Sequence, residues 1–312
     1  MKVSLAVDLA GVKLPTPVLA ASGCLRSPRE LSGLLDVRKL GAIVTASVTM
    51  LPSEGSPPGR VVETPSGVLA SVGLQNPGIE TFVARELPPL LKAGVPVFVS
   101  IAGWSVGEYV QVASLLQDVT GIAGIEVNLA CASVERGGAV FAHRADHAAE
   151  VVGAVSRLSR HPVFAKLSGD VADVVDIARS CVQAGAHGLT LINSVAGMAI
   201  STRTRLPELG AVTGGLSGPA IRPLAVRSVF AVSRALPDVP VLGVGGIATA
   251  NDAIEMMLAG AWAVQIGTAM LVDPAAPIEV TKGILQYLRD SRSENPAAIR
   301  GSVRIPGESR GD

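Results

Sequence analysis

The chain has 312 residues, 48% hydrophobic and 17% charged, enough to bury one large core in a single barrel or in two medium domains. Its 26 basic and 26 acidic residues balance, with no basic run or aromatic-rich basic patch, which argues against a nucleic-acid partner. The N-terminus has an acidic residue inside its short apolar run and no convincing cleavage site, and no stretch free of Gly, Pro and charge is long enough to span a bilayer, so a cytoplasmic protein is expected.

In chain order, short apolar runs of strand character fall at residues 17–21, 42–45, 96–101, 124–129, 162–167, 188–193, 240–244 and 263–267. Each is followed by a helix-like stretch, such as 145–159 after the fourth run and 171–184 after the fifth. Pro96, Pro162 and Pro240 stand at strand starts, where a missing N–H does no harm. Gly94, Gly185 and Gly260 follow helical stretches, as C-terminal caps do. Eight such units predict a (β/α)8 barrel with inserted loops, occupying residues 1–290 as one domain. Two connections, 47–78 and 194–217, exceed ordinary βα loops and are expected to be lids or site walls. From Ser291 to residue 312 the apolar period is lost, and a loosely held tail is expected.

Barrel enzymes keep their chemistry at the carboxyl ends of the strands. Here those ends read Ser22-Gly23, Thr45-Ala46-Ser47, Ala102-Gly103, Asn128, Lys166, Asn193-Ser194, Gly245-Gly246 and Gly267-Thr268, nearly all polar or glycine. Polar groups gathered on one rim imply a ligand there. Lys166, at the top of an apolar strand, needs a compensating anion if buried; the alternative is that it snorkels to solvent. The glycine turns of Gly243-Val-Gly-Gly-Ile247 and Gln265-Ile-Gly-Thr268 close the last two strands, where barrels commonly cradle a phosphate on backbone N–H groups. Cys131, three residues after Asn128, suits a base or nucleophile if its thiolate is favoured, or else a buried packing residue. Cys24, Cys131 and Cys181 lack the spacing of a disulfide framework, a metal site or an iron–sulfur site. His143 and His147 could share a helix face but have no third ligand, so no metal is expected.

From about Leu5 to Leu288 these residues resemble the class 1 dihydroorotate dehydrogenases, flavin enzymes of pyrimidine biosynthesis, and most closely class 1B. The resemblance rests on Pro17-Val-Leu-Ala-Ala-Ser-Gly23, Glu63-Thr-Pro-Ser-Gly67, Gly73-Leu-Gln-Asn-Pro-Gly78, Leu189-Thr-Leu-Ile-Asn193, Gly197-Met-Ala-Ile200, Thr213-Gly-Gly-Leu-Ser-Gly-Pro-Ala220 and the two glycine turns. It implies that Gly245, Gly246, Gly267 and Thr268 hold the phosphate of FMN, that Ser22, Ser47, Asn128, Ile192 and Gly218 line the rest of the cofactor, and that Lys166 faces its pyrimidine edge. Cys131 matches the catalytic base, which takes a proton while a hydride passes to flavin N5. Class 2 relatives use serine as the base and carry a membrane-associating N-terminal extension, and neither feature is expected here. Substrate contacts are implied at Gly73, Leu74, Asn128, Ser133, Asn193 and Ser194. The resemblance also implies a homodimer and, by analogy, an iron–sulfur flavoprotein partner that passes electrons to NAD.

The family pattern is broken around the substrate. Its Asn-x-Ser-Cys-Pro-Asn motif is Asn128-Leu-Ala-Cys131-Ala-Ser133 here, the asparagine before Gly73-Leu74 is Ala70, and the lysine of Thr-Lys-Ser is Ala46. Losing one charged and two neutral hydrogen bonds removes roughly 3–6 kcal/mol, or ~100-fold to 10,000-fold in binding, unless Arg60, Arg136 or Arg203 replaces them. The expectation is therefore an FMN oxidoreductase acting on a CH–CH or C=C bond beside a carbonyl in a cyclic substrate other than dihydroorotate. A dihydroorotate dehydrogenase with a remodelled pocket, a non-catalytic flavin-binding subunit, and a phosphate-substrate barrel with a cysteine nucleophile are the alternatives.

Overall fold

The computed structural model describes residues 3–25 and 33–307, and for Ala132 and Ser133 the backbone alone. Eight parallel strands close into a barrel: β1 (Val18–Ala20), β2 (Ala42–Val44), β3 (Val97–Ile101), β4 (Gly124–Asn128), β5 (Val163–Leu167), β6 (Gly188–Leu191), β7 (Val241–Val244) and β8 (Ala263–Ile266). Each lies inside one of the predicted runs. Neighbours in sequence are neighbours in the barrel, and β8 returns to β1 with Gln265 opposite Leu19. Pro17, Pro96, Pro162 and Pro240 each precede a strand by one residue, and their carbonyls accept the first bonds from Val264, Ile43, Ile125 and Leu189 at 2.8–2.9 Å. Proline at that position loses no ladder bond, because the N–H it lacks lies outside the strand.

The strands are almost wholly buried, as parallel strands covered on both faces must be. At the amino end of the barrel, Leu19, Phe98, Phe164 and Leu242 fill the interior, and Phe98 meets Phe164 edge-on with ring centroids 5.4 Å apart. These rings explain the glycines that begin β4 and β6. A Cβ on Gly124 would lie 2.8 Å from the Phe98 ring, and one on Gly188 would lie 2.2 Å from that of Phe164. An N-terminal hairpin, Val7–Leu9 with Val12–Leu14, closes this end by burying Leu9 and Leu14 completely or nearly so. The outer layer includes helices Val106–Leu116, Ala145–Leu158, Val174–Gln183, Arg222–Ala235, Ala250–Ala259 and Ala276–Asp290. Their ends are set locally: Asp173 caps two N–H groups of its helix, Thr249 and Asp252 form a capping box, and Gly260 closes the following turn at φ 128°.

At the opposite end the two long connections do more than wall a site. Val61–Thr64 and Gly67–Ala70 form a hairpin within the first, Val195–Gly197 and Gly214–Ser217 pair within the second, and the two pairs join through Ala70 opposite Gly215. A single four-stranded antiparallel sheet therefore stands over the carboxyl end of the barrel.

One expectation needs correction. The segment after Ser291 is docked as far as Val303: Pro296 and Ile299 are buried, Arg300 lies 3.8 Å over the Trp262 ring, and the N–H groups of Gly301 and Val303 donate to Met257 O at 3.0 Å and Leu258 O at 3.2 Å. Its few apolar residues are spaced to dock on a helix end, without a repeat that a sequence period could reveal. Residues 308–312 of that predicted tail lie outside the described part of the chain. Among the described residues, no helix is long and apolar enough to cross a membrane.

Candidate active site

A cavity of about 840 Å³ opens at the carboxyl ends of the strands, beneath the antiparallel sheet. That volume is in the range of small-molecule and cofactor sites, ~300–1,000 Å³. Its floor and sides bring together Ser22, Lys166, Asn193, Ser194, Gly245, Gly246, Gly267 and Thr268 from separate strand ends, with Ile192 and Gly218, which the resemblance had named. The first insertion adds Glu63, Thr64, Pro65, Ser66, Gly67, Val68 and Val72 to the wall.

The glycine turns are conformationally required. Gly246 sits at φ 74°, where side chains are strained, and a Cβ there would lie 2.8 Å from Arg222 N. The turn can thus present backbone to the cavity while Arg222 packs behind it. Thr268, at the end of β8, donates through Oγ1 to Ser217 Oγ at 2.8 Å and so ties the barrel rim to the second insertion. Glycine turns and adjacent N–H groups fit a phosphate, and the cavity running from them to Lys166 fits the remainder of an FMN molecule.

Ser47 and Asn128 stand just behind this lining. Asn128 Nδ2 donates to Ser47 Oγ at 3.0 Å, and Asn193 Nδ2 donates to Asn128 Oδ1 at 3.1 Å, so a polar chain runs from β2 through β4 to the cavity wall. Gly73 is exposed and Leu74 half-buried, and neither lines the cavity; the loop around them is held by Asn76, whose Oδ1 accepts from Thr49 N at 3.1 Å and Gly78 N at 2.9 Å. The Ser133 side chain lies outside the described part of the structure.

Lys166 is 6% exposed, so it does not snorkel to solvent. Its compensating anion is internal: Nζ lies 3.3 Å from Oε1 of Glu126, whose Oε2 accepts from Thr190 Oγ1 at 3.1 Å and Gln265 Nε2 at 2.8 Å. Sequence reasoning missed Glu126, Thr190 and Gln265. A signal was available, because Glu126 shares the parity of Asn128 on β4, and strand residues two apart face the same way.

Cys131 is also not on the cavity wall. Its thiol is buried beside Tyr109, donating to Asn128 O at 3.5 Å, while the Tyr109 hydroxyl donates to the same oxygen at 2.6 Å. Burial pushes the thiol up to about 11; the Tyr109 and Gly103 contacts pull it down, and the nearby Glu108 charge raises it. In this arrangement the thiolate is scarce at neutral pH. The thiol that does line the cavity is Cys24, raised to about 11 by burial against the opposing pull of the Lys166 charge. Its position right after Ser22-Gly23 could have marked it.

At positions 46 and 70 the replacements are apolar and nothing charged takes their place at the cavity. Ala46 and Ala70 are half-buried, and none of the three arginines lines the cavity. Arg60 donates to Gln75 Oε1, Glu54 O and Ser56 O at 2.6–2.9 Å within the first insertion, Arg136 pairs with Glu150, and Arg203 is exposed.

The model of the family described as dihydroorotate dehydrogenase matches residues 4–288 of the chain. The catalytic subunit of dihydroorotate dehydrogenase B (NAD(+)) from Desulforudis audaxviator is 49% identical over 307 residues, covering 98% of this chain and 100% of the relative. The proteins of the same name from Geotalea uraniireducens and Geotalea daltonii are 46% and 45% identical over 302 and 304 residues, each spanning 97% of this chain and 99% of the relative. Matched over nearly its whole barrel and carrying the cavity described above, the chain belongs to the dihydroorotate dehydrogenase family and is an FMN-dependent oxidoreductase.

Proposed function

We propose that the enzyme exchanges a hydride and a proton with a CH–CH or C=C bond beside a carbonyl, in a cyclic substrate less anionic than dihydroorotate. The observation that carries this reading is the apolar replacement at Ala46 and Ala70 with no arginine at the cavity to compensate. Bound FMN supplies a two-electron acceptor or donor. Gly245, Gly246, Gly267 and Thr268 would hold its phosphate; Ser22, Ile192 and Gly218 would line the rest with Ser47 and Asn128 behind them, and Lys166 would stand toward its pyrimidine edge. Asn193 and Ser194 would orient the substrate with Asn128 behind them, and the Gly73-Leu74 turn would have to close toward the cavity to join them. Cys131 Sγ moves the proton at the substrate carbon, which requires the segment after β4 to bring the thiol from beside Tyr109 to the cavity and to favour its thiolate.

The test is anaerobic mixing of the FMN-loaded protein with dihydroorotate. The flavin is expected to stay oxidised, and rapid bleaching would overturn the altered-substrate reading. The names of the relatives, dihydroorotate dehydrogenase B (NAD(+)), catalytic subunit, favour a second reading, a dihydroorotate dehydrogenase of pyrimidine biosynthesis whose pocket has been rebuilt. The word subunit in those names supports a partner, which we read as an iron–sulfur flavoprotein beside a homodimer of this chain in the cytoplasm. Cys24, Cys131 and Cys181 lack the spacing of an iron–sulfur site, so a cluster would be carried by the partner.

A further inference from the structure

Below the cavity, one carboxylate from β4 gathers donors from β5, β6 and β8. Glu126 is 1% exposed and holds Lys166 on one oxygen and both Thr190 and Gln265 on the other, at 2.8–3.3 Å. Nothing about barrel closure demands a charge here. The amino end of the same interior is filled by Leu19, Phe98, Phe164 and Leu242, and a buried ion pair is often no more stable than apolar residues of equal volume. Gln265 spends its N–H on Glu126 while its own Oε1 is buried with no hydrogen-bond partner among the described residues, so the carboxylate decides how that amide is turned. An ammonium has three N–H donors. Glu126 takes one at a long 3.3 Å and leaves Lys166 directed at the cavity it lines.

We propose that Glu126 is a positioning residue that aims Lys166 at the cofactor and offsets part of its charge, thereby setting how readily the bound flavin accepts electrons. This rests on the FMN reading of the cavity. A lone cation at the pyrimidine edge favours the electron-rich, reduced flavin, whereas a cation 3.3 Å from a carboxylate presents a much weaker field. Glu126 therefore keeps the flavin harder to reduce than Lys166 alone would make it.

The test is the midpoint potential of the FMN-loaded wild type, E126Q and E126D, read by spectroelectrochemistry with thermal unfolding alongside. In E126Q, Gln265 can turn over and accept from the new amide, so the shape and contacts persist while the charge is gone. Its reduction equilibrium is expected to shift about tenfold toward the reduced form, ~30 mV for a two-electron couple. E126D keeps the charge but withdraws it by one methylene, and its potential is expected to lie between the other two. A lowered melting temperature with an unmoved potential in E126Q overturns the inference, because a purely structural glutamate would behave that way. If E126Q does not fold, E126D decides: a positive shift supports the inference, and a wild-type potential overturns it. A wild type that takes up no FMN overturns the cofactor reading and this inference with it, whereas loaded protein with unmoved potentials overturns the inference alone.

Discussion

The cavity wall and the layer behind it are built differently. On the wall, Lys166, Gly245, Gly246, Gly267 and Thr268 sit at strand ends or in the turns directly after them, and the structure brings them together. Behind it, Cys131 rides on a connection and is tucked beside Tyr109, and Ala46 and Ala70 are half-buried and apolar without lining the cavity. A strand end has its direction set by the barrel's parity, so residues there are placed as soon as the barrel closes. A loop residue is placed by whatever its loop packs against. The contrast is between groups that barrel closure itself brings to the wall and groups whose place depends on what a connection packs against.

The largest effect that could break this contrast concerns Cys131. If its thiol reaches the cavity as the base, Cys131→Ala lowers turnover by about 100-fold to 10,000-fold, with the yellow colour retained. Because burial holds the thiol near 11, the wild-type rate should also climb by close to tenfold per pH unit through the neutral and mildly alkaline range. Unchanged turnover in the alanine variant would return Cys131 to a packing role.

Ala46→Lys sharpens the comparison from the other direction. A charge-assisted hydrogen bond is worth ~1.5–3 kcal/mol, so the restored lysine should tighten dihydroorotate binding ~10-fold to 150-fold. Fluorescence titration of the loaded protein measures this, and a null result would mean that position 46 does not face the substrate.

A separate effect, modest for each single thiol, is in alkaline stability. Cys24, Cys131 and Cys181 are raised to about 11, 11 and 12 by burial, well above a free thiol. The unfolded chain therefore releases these protons first. Stability should be unaffected below about pH 8.5 and fall above it by about 1.4 kcal/mol per pH unit for each buried thiol, until the folded-state thiols ionise. Urea unfolding of Cys24→Ser and Cys131→Ser between pH 8 and 10 separates the cavity wall from the layer behind it. Each serine should remove one thiol's share of the slope, and a missing share for Cys131 would show that its loop stands open in solution.

Much of this was legible beforehand, for stated reasons. The eight strands were visible because parallel strands buried on both faces are continuous apolar runs, and the prolines at residues 17, 96, 162 and 240 stand just outside them. The antiparallel sheet over the cavity was not visible, because its strands of three or four residues carry little alternation and pair across more than a hundred residues of sequence, as Val68 does with Ser217. The docking of Ile299 and Arg300 was hidden for a similar reason, since it depends on Trp262 and on the carbonyl of Met257.

By itself the sequence determined the barrel, the rim on which ligands gather and the glycine turns that suit a phosphate, because each of these follows from local pattern and from a parity that closure cannot change. Only the tertiary structure decided that the anion beneath Lys166 is Glu126, that Cys24 rather than Cys131 faces the cavity, and that Arg60, Arg136 and Arg203 are engaged or directed elsewhere. These are distances between side chains on different strands and loops, and one chain's residue order does not encode them until the chain has closed on itself.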